Sequence, residues 1–89
     1  MKAIFQTRQF KKDFKRIKKR GKDLNKLKED VSAIANNEVL EERDRDHALS
    51  GNWSGSRNCH IEPDWILIYQ VDGEHLFLER TGRHSDLFR

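Results

Sequence analysis

Residues 65–82 read WILIYQVDGEHLFLERTG, and this stretch decides the fold. Trp65 to Val71 is a nearly unbroken apolar run, the pattern of a central strand buried on both faces. Asp72-Gly73 follows at once. Asp-Gly between two apolar runs is a strong hairpin signal, because a type I′ turn needs positive φ at both central residues. His75 to Arg80 supplies the return strand, so the sheet is at least partly antiparallel. Upstream, Arg57 to Ile61 reads as another strand, interrupted at Pro63, which has no ladder donor. Downstream, Thr81-Gly82 ends the hairpin and leaves a tail, RHSDLFR, that returns over the sheet or runs into solvent.

The N-terminal half carries a different period. Residues 2–6 (KAIFQ) suit a short first strand joining the sheet at an edge. Phe10, Phe14 and Ile17 then recur at helical spacing among Lys11, Lys12, Lys15, Arg16, Lys18 and Lys19, a narrow apolar stripe on a basic helix. Gly21 is a C-terminal stop, and Asp23 can cap a second helix in which Leu24, Leu27, Val31 and Ile34 repeat. The charged stretch Glu38 to Ser50, with Gly51 and Gly55 bracketing Trp53, reads as a functional loop. The expected architecture is α+β: a compact single domain over residues 1–89, two N-terminal helices packed on a mainly antiparallel C-terminal sheet.

Composition bounds the function. With 89 residues, 35% apolar and 37% charged, the chain suits one modest core with its site on the surface of that core. The longest apolar run, Trp65 to Tyr69, is far short of the ~20 residues of a membrane span, and Met1 is followed by charge, so a cytoplasmic protein is expected. A lone cysteine, Cys59, forms no internal disulfide and builds no thiolate metal site by itself. The net charge of +3 divides unevenly: residues 1–37 hold 12 Lys+Arg against 4 Asp+Glu (+8), and residues 38–89 hold 6 against 11 (−5). Every lysine lies at or before Lys28, a concentration that points to a polyanionic partner.

His47, His60 and His84 fall in or beside the loop, the first C-terminal strand and the tail, in the company of Asp64, Trp65 and Arg80. RNA cleavage needs a base for the 2′-hydroxyl proton, an acid for the leaving 5′-oxygen and a cation facing the phosphate. Imidazoles, a carboxylate and an arginine supply these without a metal. Competing structural readings exist for each: Asp64 as a turn residue, Trp65 and Trp53 as core, Phe88 as C-terminal packing, Arg80 as the partner of Glu79 or Glu62. His75 is expected to face solvent. A zinc site from His47, His60, His84 and Asp64 is conceivable, but no metal-binding spacing is present, and neither metal nor cofactor is expected.

Two segments, HALSGNWSGSRNCHIEPDWILIYQ (47–70) and LERTGRHSDLF (78–88), resemble the YafQ branch of the RelE/ParE toxin superfamily. KDLNKL (22–27) also resembles the family's second helix, so the likeness covers most of the chain. The resemblance implies a RelE-like fold and a ribosome-dependent mRNA endonuclease, the toxin of a type II toxin–antitoxin module, which inhibits translation by cutting mRNA in the A site of the 70S ribosome. It implies a DinJ-like antitoxin as partner, with operator DNA reached only through that complex. By carry-over, His47, His60, Asp64 and His84 form the proton-transfer and substrate-orienting group, Arg80 meets phosphate charge, and Trp65 and Phe88 hold the mRNA. His84 is assigned as general acid and His60 or His47 as base. Lys11, Lys12, Lys15 and Lys18 form the expected surface for ribosomal RNA. The competing functions are a ParE-like inhibitor of DNA gyrase, which leaves the histidines without a reason, and an RNA-binding module without catalysis.

Overall fold

Thr7 starts the first helix: its hydroxyl accepts from the Phe10 amide at 3.0 Å, satisfying a donor that the first turn leaves open. The computed structural model describes residues 1–38, the backbone of 47–48, and 55–88. In chain order these form β1 (Ala3–Gln6), α1 (Arg8–Lys19), α2 (Leu24–Ala35), β2 (His47–Ala48), β3 (Arg57–Glu62), β4 (Trp65–Asp72), β5 (His75–Gly82) and the single-turn α3 (His84–Leu87). Gly21, at φ 75°, closes α1 as expected, and the Asp23 carboxylate accepts from the Asn25 amide at 3.0 Å to open α2.

The strands make one five-stranded sheet in the order β1-β5-β4-β3-β2. β1 lies at an edge and runs parallel to β5, while the other pairings are antiparallel. α1, α2 and one face of the sheet enclose the main core, where Phe10, Ile17, Leu27 and Ile34 meet Trp65, Leu67, Tyr69, Leu76 and Leu78. On the opposite face Ile66 and Ile68 are covered by Leu87, with Phe88 alongside. The tail therefore returns over the sheet. Burial on both faces is the reason the 65–69 run is apolar without alternation. Cys59 is buried within β3.

Two local expectations are corrected. The β4–β5 turn sits one residue later than the Asp-Gly signal suggests: Asp72 pairs with His75, leaving Gly73 and Glu74 at the centre. Gly73 has φ 59° and Glu74 does not share its positive φ, so the turn follows type II′, which asks for glycine at the first central position alone. The segment expected as a loop contributes the short strand β2, opposite Asn58 and Arg57 of β3. The rest of that segment, with Gly51 and Trp53, lies outside the described residues. Among the described residues no helix is long and apolar enough to cross a membrane.

Candidate active site

Directly paired residues of neighbouring strands project to the same face, so the register assembles the site. His60 pairs with Ile66, which pairs with Gly82; Asn58 pairs with Ile68, which pairs with Arg80. Both rows belong to the face that α3 covers, and His47 stands at the β2 end of the second row, opposite Asn58. The side chain of His47 lies outside the described residues.

Asp64 and His84 meet. Pro63 and Asp64 form the turn between Glu62 and Trp65, and from that turn Asp64 Oδ1 accepts the backbone N–H of His84 at 3.3 Å. The Phe88 amide donates to the His84 carbonyl at 2.9 Å, closing the turn of α3. This brings the two rings together, with centroids 4.8 Å apart. Asp64 and His84 are exposed and Phe88 is half-buried, so an imidazole and a carboxylate reach the surface beside a partly covered aromatic ring.

A carboxylate clasp holds α3 in place. Asp86 accepts from the Arg83 amide at 3.0 Å and from Arg20 Nη1 at 2.9 Å, tying the end of α1 to α3. The Arg20 hydrogen bond is the main cause that holds the Asp86 carboxyl at about 2. Because the folded value lies below the unfolded one, the stabilisation is present above the ordinary carboxylate range and is lost as pH falls toward the folded value. Asp86→Asn is expected to cost about 1–2 kcal/mol near pH 7, a gap that closes between about pH 4 and pH 2 in urea titrations. Similarly, Lys22 and Lys26 each donate to Glu62 at 2.9 Å beside the Asp64 turn, and their hydrogen bonds, that of Lys26 foremost, lower the Glu62 carboxyl.

Arg80 pairs with neither Glu79 nor Glu62. Its Nε–H donates to Asp13 Oδ2 at 2.7 Å and Nη2 to Asp13 Oδ1 at 3.2 Å. Asp13 is a residue that sequence reasoning missed. The signal was present: it is the one acid in α1 and lies on the apolar stripe between Phe10 and Ile17.

Trp65 requires a correction. Stacking on a base needs an open ring face, but Trp65 is 1% exposed, sits in the core and donates its indole N–H to Thr81 Oγ1 at 2.9 Å. Its contribution to the site is structural: it packs beneath the strand ends that carry Asp64 and Arg80.

The family model described as the bacterial toxin of type II toxin–antitoxin system, YafQ, matches residues 2–89. The chain belongs to the YafQ toxin family. It is 48% identical over 81 residues to the mRNA interferase toxin YafQ of Escherichia coli (strain K12), covering 90% of this chain and 88% of that protein. The crystal structure of YafQ from E. coli strain BL21(DE3) superposes with a TM-score of 0.94 at 43% identity, covering 100% of both chains. YafQ in the E. coli DinJ–YafQ complex superposes at 0.92 with 44% identity, again over 100% of both.

In this YafQ-family chain, Asp64, His84 and Phe88 lie together at one end of the sheet, His60 and Arg80 are brought there by backbone register, and the Arg80 guanidinium turns to Asp13 of α1. Lys11, Lys12, Lys15 and Lys18 are all exposed, on the surface of α1 away from its buried residues Phe10, Asp13 and Ile17. His75 faces solvent, against Phe5 and Phe77 at the β1 edge.

Proposed function

We propose that this chain is one toxin domain, residues 1–89, acting as a ribosome-dependent mRNA endonuclease that cuts A-site mRNA by metal-independent acid–base chemistry. The observation that carries the reading is the meeting of His84, Asp64 and Phe88 at the end of the sheet where the strand register also brings His60 and Arg80. The similarity to the E. coli mRNA interferase toxin supports the same reaction class.

In this mechanism His60 or His47 removes the 2′-hydroxyl proton and the freed oxygen attacks the adjacent phosphorus. The P–O5′ bond breaks, His84 delivers a proton to the leaving 5′-oxygen, and a 2′,3′-cyclic phosphate remains on the upstream fragment. Arg80 faces the charge that builds on the non-bridging oxygens. Asp64 orients His84 through its backbone, and Phe88 offers a ring to a base. Trp65 acts from within the core.

The partner is a DinJ-like antitoxin, a reading supported by the solved E. coli DinJ–YafQ complex, and the toxin acts in the cytoplasm. The exposed lysines of α1 bind ribosomal RNA. Reversing Lys11, Lys12, Lys15 and Lys18 to glutamate is expected to lower ribosome affinity by at least ~10-fold and flatten its salt dependence, read by cosedimentation across a salt series. Unchanged binding would refute that role. The overall reading is tested by in vitro translation of a defined mRNA with 5′ ends mapped by primer extension. New in-frame ends that require ribosomes are expected; intact mRNA beside folded protein would return the chain to gyrase inhibition or plain RNA binding.

A further inference from the structure

We infer that Asp13 is the positioning residue for Arg80, an inference that rests on the reading of Arg80 as the phosphate contact. Asp13 is 0% exposed, and four donors converge on its carboxylate: Arg80 Nε and Nη2, the Thr81 amide at 3.3 Å and Gln9 Nε2 at 3.1 Å. A buried ion pair is poor value as a stability device, because apolar residues of the same volume serve the core as well or better. What the pair does supply is direction.

The backbone explains why Arg80 needs it. Between Leu78, which pairs with Tyr69, and Arg80, which pairs with Ile68, Glu79 is an extra residue, a β-bulge. The bulge changes the aim of the residues that follow, and α1 is fastened to it: the Thr7 hydroxyl that caps α1 also donates to the Glu79 carbonyl at 2.9 Å. From that anchor, α1 carries Asp13 under Arg80. An arginine side chain has several free rotors and five N–H donors in a rigid plane. Asp13 takes two of the five through the Nε–Nη2 edge, which fixes the plane and leaves three for a phosphate on a side chain that is 22% exposed. A guanidinium held before substrate arrives needs no reorganisation as charge develops.

The test compares wild type, Asp13→Asn, Arg80→Ala and the double variant in single-turnover cleavage of mRNA on programmed ribosomes. Arg80→Ala is expected to lower the maximal rate ~100-fold or more, as loss of a donor to a developing oxyanion does. Asp13→Asn is expected to lower it ~10- to 100-fold with the half-saturating toxin concentration nearly unchanged, and to add nothing in the Arg80→Ala background. Additive losses, or full activity in Asp13→Asn while Arg80→Ala is inactive, would overturn the positioning role and leave the Arg80 reading standing. Full activity in Arg80→Ala would sink both.

Because Arg80→Ala strands the buried Asp13 carboxylate, folding of every variant is read by thermal melting, and the double variant, which buries no lone charge, is the reference for Asp13→Asn. Millimolar guanidinium ion is expected to restore cleavage to Arg80→Ala but not to the double variant, because the carboxylate is what seats the ion. An equal response of the two, whether rescue or none, would overturn the inference.

Discussion

Replacing His84 with alanine is expected to lower single-turnover cleavage by ~10²- to 10⁴-fold, the usual contribution of one positioned proton donor. The fold should survive. The imidazole is exposed, and the contacts that seat α3 come from elsewhere: the backbone N–H of His84 on Asp64, Leu87 against Ile66 and Ile68, and Asp86 on Arg20 and the Arg83 amide. Alanine keeps every one of these. The loss should therefore fall on the rate and not on ribosome binding. Leaving-group chemistry separates this role from that of a base. A substrate with a 5′-bridging sulfur, whose thiolate leaves without a proton, should be cut almost equally by wild type and His84→Ala. If the variant stayed equally slow on that substrate, His84 would not be the acid. An unchanged rate on ordinary mRNA would remove it from the chemistry altogether.

Trp65→Ala is expected to cost ~3–5 kcal/mol of stability, the range for emptying a large buried aromatic site. Trp65 is 1% exposed among Phe10, Ile17, Leu67 and their neighbours, and its loss also strips Thr81 Oγ1 of its donor. Thr81 stands between Arg80 and Gly82, donates its hydroxyl to the Ile66 carbonyl at 2.9 Å and sends its amide to Asp13, so disorder spreads from the cavity into the arginine's strand. For a domain of this size each kcal/mol lowers Tm by ~4–8 °C, so a fall of at least ~12 °C is expected in calorimetry. Trp65→Phe refills part of the volume without the N–H and should lose roughly half as much. A Trp65→Ala protein of wild-type Tm that had lost only RNA affinity would contradict the buried role and reinstate the tryptophan as a stacking platform.

The same residue shows where local reading stops. Alternation tells which way a strand residue faces only when one face is wet. In β4 both faces are dry, so WILIY announces a central strand while concealing which layer Trp65 enters. The turn offset has a related cause: Asp-Gly and Gly-Glu frames are both open to the local backbone, and pairing of the flanking strands chooses between them. Asp64 was legible as a turn residue because that cause is local, whereas its acceptance of the His84 N–H, 20 residues away, is set by the fold.

Read alone, the sequence determined the elements whose causes lie within a few residues: the 3.6-residue stripes of α1 and α2, the Asp23 cap, the Gly21 stop, the β4–β5 hairpin and the residue types able to move protons. Only the tertiary structure decided the parallel β1–β5 pairing, the use of α3 to cover Ile66 and Ile68, the inward turn of Trp65 and the partnership of Asp13 with Arg80, 67 residues apart. The physical reason is range. Helix periodicity, capping and turn geometry are energies of neighbouring residues, whereas the partner of a buried charge is selected by which surfaces the closed chain brings together, and that choice leaves no mark in the spacing around either residue.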